Sequence, residues 1–236
     1  VIDLLPTEAD PVKVIEGSCA DVFRALTDGQ VDHVITDPPY SEKTHAGART
    51  GTEDRTLLTF DSIDDAAFLA LCDESVRVAR RWVLMTCDWR HSAAAECGGR
   101  PVVRCGVWVK PDSAPQFSGD RPGTGWEAVL ILHRPGRKRW NGGGHHAVWS
   151  CNVERGNVHP TQKPLSLVRR WLRQFTDRGD LVLDPYAGSG TTAVACAAEG
   201  RRCLAVEIDP HYAAIARARV AAAMCRGPGS LFAGVE

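Results

Sequence analysis

Two short segments of this 236-residue chain combine residue types that can do chemistry. The first is Thr36-Asp37-Pro38-Pro39-Tyr40, directly after the β-branched run VDHVIT. Two prolines fix the backbone there, and Pro38 keeps a rigid carbonyl free as an acceptor. The motif therefore offers a carboxylate, an aimed carbonyl and an aromatic ring at the carboxyl end of a strand, where open α/β sheets bind ligands. The second segment is LVLDPYAGSGTTAVACA, residues 181–197. An apolar strand ends at Asp184, and a turn containing Gly188 and Gly190 follows. A helix then starts near Thr191, with free N–H groups at its terminus. The next strand ends at Glu207, whose carboxylate can accept hydrogen bonds from both hydroxyls of a ribose. Taken alone, the first motif also reads as loop punctuation. The second alone fits Gly-x-Gly-x-x-Ala, a dinucleotide-binding pattern, without naming the nucleoside.

The elements that position these motifs alternate between β-branched runs and amphipathic stretches, the signature of an α/β fold with a largely parallel sheet. Strands are predicted over Lys13–Gly17, Val31–Thr36, Trp82–Cys87, Val102–Val109, Glu127–His133, Leu181–Leu183 and Cys203–Ile208. Helices are predicted over Ala20–Thr27, Ala66–Arg80, Arg90–Cys97, Lys163–Thr176, Thr191–Glu199 and Pro210–Met224, with Pro164 in the first turn of the fourth. Residues 41–64 are polar and aperiodic, which predicts a mobile functional loop. Residues 134–162 read as irregular, glycine-rich and basic. A single domain over 1–236 is expected: a catalytic-motif part at 13–40, the loop at 41–64, a short basic insert at 134–158 and a cofactor-binding part at 159–224.

With both motifs in view, the chain resembles the β group of DNA amino-methyltransferases, which use S-adenosylmethionine. The resemblance rests on DPPY at 37–40, HPTQKP at 159–164 and DPYAGSGTT at 184–192, in that group's order. It implies a Rossmann-like methyltransferase fold: a mostly parallel seven-stranded sheet, helices on both faces and one antiparallel edge hairpin. It assigns catalysis to Asp37, Pro38, Pro39 and Tyr40. It assigns S-adenosylmethionine binding to Asp184, Pro185, Tyr186, Gly188, Ser189, Gly190, Thr191 and Glu207, together with His159, Thr161, Gln162 and Lys163 from the HPTQKP segment. Tyr186 stands where the group usually has Phe. The implied activity is DNA methylation of the restriction–modification kind on an exocyclic amine. Adenine N6 is favoured because Asp at the motif's first position is commoner in adenine enzymes; cytosine N4 is the alternative. A nicotinamide-dependent oxidoreductase would leave DPPY and HPTQKP unexplained. A catalytically silent nucleic-acid-binding relative would have no use for Asp37 and Tyr40.

Charge distribution points to the same partner. The net charge is −1, yet residues 100–178 hold fourteen Lys/Arg against five Asp/Glu. Such asymmetry suggests an anionic partner, here DNA. Within the insert, Arg134, Arg137, Lys138 and Arg139 are candidates for phosphate contacts and Trp140 for stacking. The 25 residues from Arg134 to Val158 are too few and too glycine-rich for a rigid major-groove reader, which predicts a short or relaxed recognition sequence. Pairing of two copies into a homodimer would supply further base contacts. The nine cysteines include no Cys-x-x-Cys pair, so no metal site is expected, and they read as small buried hydrophobes in a reducing compartment. With no membrane-length apolar run and no signal-like start, a cytoplasmic protein without a membrane partner is expected.

Overall fold

The computed structural model describes residues 4–40, 62–115, 119–154 and 162–226. The loop expected at 41–64 therefore falls almost wholly outside the described residues. Eight strands form one sheet: β1 (Val12–Glu16), β2 (His33–Thr36), β3 (Trp82–Cys87), β4 (Val102–Val109), β5 (Trp126–His133), β6 (Val148–Ser150), β7 (Leu181–Asp184) and β8 (Arg202–Glu207). Their spatial order is β1-β8-β7-β2-β3-β5-β4-β6. Only β5 runs against its neighbours. The helices are α1 (Cys19–Ala25), α2 (Asp65–Val78), α3 (Trp89–Cys97), α4 (Leu165–Phe175), α5 (Thr191–Glu199) and α6 (Pro210–Arg226).

The central strands are apolar along their whole length because both faces are covered. All six residues of β3 are buried, with Trp82 and Leu84 facing one side and Val83, Met85 and Cys87 the other. The first side packs against α4, α5 and α6 through Leu167, Trp171, Phe175, Ala193 and Val220. The second packs against α1, α2 and α3 through Phe23, Phe68, Leu71 and Ala95. Helix starts are set by side-chain caps: Asp64 accepts from Ala67 N–H at 2.7 Å, and Asp88 accepts from Arg90 and His91 N–H at 3.0 Å each. Pro164 proves to be the cap residue of α4 instead of part of its first turn.

The sheet has eight strands where seven were expected, and the antiparallel hairpin is not its edge. Val148–Ser150 pairs in parallel with Val107–Val109 of β4. The reason is packing. Trp149 is fully buried, meets Trp171 edge-on at 5.8 Å and donates its indole N–H to Gln174 Oε1 at 2.8 Å. Its ring lies where a Cβ on Gly106 would sit, 2.7 Å away, so the glycine in mid-β4 makes room for the strand that covers the edge. Cysteine burial also differs from expectation: Cys72, Cys87, Cys196 and Cys203 are buried, but Cys97, Cys105 and Cys225 are exposed.

Candidate active site

Strand order decides where the two motifs meet. β7 leads through α5 to β8 on one side, and β2 leads through α2 to β3 on the other. β7 and β2 are neighbours, with His33 opposite Val182 and Val34 opposite Leu183. Their carboxyl ends thus diverge at the point where the sheet changes winding direction, which opens a crevice. Asp37 follows β2 there, and Asp184 closes β7. Thr36 Oγ1 donates to Asp184 Oδ1 at 2.8 Å across 148 residues of sequence and ties the two motifs together.

On the cofactor side, Gly188 and Gly190 both take left-handed backbone conformations, φ +50° and +83°. Gly190 caps α5 without any side-chain hydrogen bond to the helix, so its amino end offers N–H groups to a ligand. A Cβ on Gly190 would stand 2.8 Å from the Ala216 Cβ, which is how closely α6 approaches the loop. Glu207 Oε2 accepts from Gly188 N–H at 2.7 Å and Oε1 from Asp209 N–H at 2.9 Å. The next residue, Ile208, is 72% exposed, an apolar shelf at the end of β8. Ser189 donates to Gln162 Oε1 at 3.1 Å and receives the Arg219 guanidinium at 2.8 Å. These features fit S-adenosylmethionine: a carboxylate suited to a ribose diol, an apolar shelf suited to a purine and an uncapped helix end behind a glycine turn.

Three assigned residues occupy different settings. Asp184 is buried, accepting from Thr36 and from Tyr186 N–H at 3.2 Å, and burial raises its pKa to about 6. It braces the turn from behind. The Tyr186 hydroxyl pairs with the Cys19 thiol, and its ring packs against the α1 side of the core. Lys163, expected beside the cofactor, has its ammonium at the catalytic motif. Pro185 and the buried Thr191 hold the ends of the turn. His159 and Thr161 lie outside the described residues.

The catalytic pocket is an ion network. Lys163 Nζ donates to Asp37 Oδ2 at 2.6 Å and stands 3.3 Å from Glu127 Oε2. Lys110 Nζ donates to Glu127 Oε1 at 2.8 Å. The Tyr40 hydroxyl donates to Glu127 Oε2 at 2.6 Å and approaches Asp37 Oδ1 at 3.3 Å, and Thr86 Oγ1 also donates to Asp37 Oδ1. Pro38 is buried, with Pro39 and Tyr40 half-buried at the crevice. Burial works against ionised Glu127, yet Lys163 and Lys110 outweigh it and hold its pKa down to about 2. Burial likewise opposes charge on Lys163, but Asp37 and Glu127 raise its pKa. Burial and the two carboxylates push the Tyr40 phenol upward, so it acts as a donor.

Thr86, Lys110, Glu127 and Arg219 were missed by sequence reasoning, and Thr36 was named in its motif without a role. Lys110 and Glu127 flank a Pro/Gly-rich loop, the only local hint that they close a hairpin. Nothing in their spacing ties them to Asp37.

The basic insert goes elsewhere. β5 is antiparallel, with Trp82 opposite His133 and Cys87 opposite Ala128. Its end therefore emerges at the opposite edge, about 17 Å from the pocket along β3. Arg134 there hydrogen-bonds the Arg77 carbonyl, and Arg139 pairs with Asp177 at 3.1 Å. Trp140 packs edge-on against Phe175 at 4.7 Å. Arg137 and Lys138 are exposed on the same edge. These five residues line no part of the catalytic pocket. Two tryptophans, Trp89 and Trp126, are 55% and 39% exposed at the catalytic edge.

Residues 31–218 match the N6/N4 methylase family, described as DNA methylase. The chain belongs to this family. It is 31% identical over 219 residues to the putative methylase YubD of Escherichia coli (strain K12), covering 89% of this chain and 90% of that one. It is also 31% identical over 150 residues to the Type II methyltransferase M.XycI of Xanthomonas campestris pv. cyanopsidis, 58% of this chain and 50% of that enzyme's length. The solved M1.HpyAVI–SAM complex superposes with a TM-score of 0.67 at 21% identity, over 89% of this chain and 98% of that one, which establishes the Rossmann-like methyltransferase fold. As a member of the family, the methylase uses S-adenosylmethionine to methylate DNA. Among the described residues, no group of three or more His, Cys, Asp or Glu could hold a metal ion, and no helix is long and apolar enough to cross a membrane.

Proposed function

We infer that this methylase transfers a methyl group to the exocyclic amine of a flipped-out base, and that the base is adenine, modified at N6. One observation carries the reading: an acceptor carboxylate, Asp37, and the glycine turn suited to the cofactor stand on adjacent strand ends, joined by the Thr36–Asp184 hydrogen bond. The lone pair of such an amine is delocalised into the ring, so the nitrogen is a poor nucleophile. Asp37 and the Pro38 carbonyl, each accepting an N–H, favour a pyramidal nitrogen with its lone pair free. Asp37 also stabilises the positive charge that develops on nitrogen, electrostatic preorganisation aimed at the transition state. Tyr40, its hydroxyl anchored on Glu127, presents its ring to a base that has left the stack.

On this reading, Glu207 holds the ribose, Ile208 the adenine face, and the Gly188–Gly190 turn with Ser189 and Gln162 the remainder of the cofactor. S-adenosylmethionine supplies a methyl already activated by its sulfonium. The protein's own task is to orient the amine and exclude water. Asp at the first position of DPPY favours adenine over cytosine. The short insert, whose basic start at 134–140 lies at the opposite edge, favours a brief recognition sequence.

Incubating DNA with methyl-labelled cofactor, then digesting it and identifying the labelled nucleoside, tests this. N6-methyladenine is expected. N4-methylcytosine would overturn the choice of base, and no labelled nucleoside would overturn the reading itself. Mapping on genome-sized DNA should show sites shorter than six defined bases.

A further inference from the structure

In the base-free protein, Lys163 already makes both contacts that the target base is expected to make. Its ammonium donates to Asp37 Oδ2 at 2.6 Å, and it lies over the Tyr40 ring, 5.3 Å from the centroid. The other Asp37 oxygen, Oδ1, is taken by Thr86 and approached by Tyr40. Oδ2 is thus the oxygen left for an incoming amine, and Lys163 occupies it. Glu127 Oε2 stands 3.3 Å from the same ammonium, a second acceptor within a small side-chain motion. Lys110 holds the far oxygen of Glu127, so that carboxylate stays in place whichever way Lys163 turns.

We propose that Lys163 is a stand-in for the target amine: it caps Asp37 and Tyr40 while the pocket is empty, and an entering base displaces it onto Glu127. This rests on the methyltransferase reading above. The geometry has two consequences. An empty pocket keeps Asp37 paired instead of leaving a carboxylate alone in a part-buried site. The charge count, two carboxylates against two ammonium groups, is also unchanged by the exchange, so base entry swaps one hydrogen-bonded pair for another. No covalent bond changes in this step. An amine-bearing base therefore gains little net affinity from Asp37, because each bond it makes there is one that Lys163 gives up. Selection for the amine falls instead on the transition state, where the charge on nitrogen develops.

The test compares wild type with Lys163→Met. The probes are a duplex carrying the mapped site and the same duplex with the target amine replaced by a carbonyl (hypoxanthine for adenine, uracil for cytosine). Wild type should bind the two within about threefold of each other. Removing the competitor should widen that ratio about tenfold or more, through tighter binding of the amine-bearing duplex. Cofactor affinity by calorimetry should stay within twofold. An unchanged ratio overturns the proposal, and a fall in cofactor affinity with an unchanged ratio returns Lys163 to the cofactor site. If Lys163→Met does not fold, Glu127→Gln tests the other acceptor. Weakening the place to which Lys163 moves should raise the Kd of the cognate duplex at least fivefold and leave that of the carbonyl duplex unaffected; equal effects on both duplexes overturn the proposal. A wild-type protein that methylates no DNA amine fails both readings, whereas an active wild type with an unmoved ratio fails this one alone.

Discussion

On the β7–β8 side of the crevice, the site is made of backbone: two left-handed glycines, an uncapped helix end, and Glu207 fastened to main-chain N–H groups within 19 residues of it. On the β2–β3–β5 side it is made of side chains. Asp37 and Tyr40 of one motif meet Thr86, Lys110, Glu127 and Lys163 from four other segments through hydrogen bonds and charge. The first side needs local conformation to be right, the second needs the whole sheet to be right. The carboxyl groups record the contrast. Burial raises Asp184 on the first side to about 6, whereas two ammonium groups hold Glu127 on the second near 2.

The contrast breaks most completely at Asp37. Asp37→Ala should lower methyl transfer at least about 100–1000-fold, the cost of removing one preorganised electrostatic contact. Calorimetry should find cofactor binding unchanged, because the residue belongs to the side-chain half alone. Gly190→Val strikes the backbone half. Its Cβ would meet Ala216, and φ near +83° disfavours any side chain. Strain and overpacking together should cost about 2–5 kcal/mol. A lowered melting temperature and cofactor affinity reduced about tenfold or more would show it.

The pH dependence of stability should take opposite signs in the two halves. Glu127, with its pKa depressed in the folded state, contributes stability that is present above its unfolded value of about 4.3 and lost as pH falls toward about 2. Glu127→Gln should lack that loss, so the gap between wild type and variant narrows by up to about 3 kcal/mol in acid. Asp184, with its pKa raised, contributes stability below about 3.9 that is lost as pH rises through about 6. Asp184→Asn should therefore gain on wild type by up to about 3 kcal/mol between pH 4 and 7. Denaturant titrations at a series of pH values measure both; parallel curves for variant and wild type would contradict the assignments. The smallest effect belongs to the opposite edge. Replacing Arg137 and Lys138 by Ala should change kcat/KM for DNA less than about twofold, since neither residue is near the pocket. A tenfold loss would place DNA across that edge.

Much of this was legible in the chain itself. The apolar runs of β3 and β7 and the Asp184–Gly190 turn are local, and their residue types dictate their shapes. The family order of DPPY, HPTQKP and DPYAGSGTT named the chemistry. Three features needed the folded chain. β6 was read as irregular because a three-residue strand is specified by one tryptophan docking on Gly106, a contact 43 residues away in sequence. The basic residues 134–140 were read as DNA contacts because their composition is right; the antiparallel run of β5 carries them to the edge opposite the catalytic pocket. Lys163 was read with its sequence neighbours at the cofactor, yet its ammonium turns to Asp37 and Glu127 because a cation in a part-buried pocket must sit where two carboxylates converge. The sequence by itself singled out the two motifs and Lys163, since motif shape depends on nearest neighbours, but not Thr86, Lys110 or Glu127. Which of those groups touch was decided only by strand order and direction, because charges from residues 37, 110, 127 and 163 interact through space and leave no periodic trace along the chain.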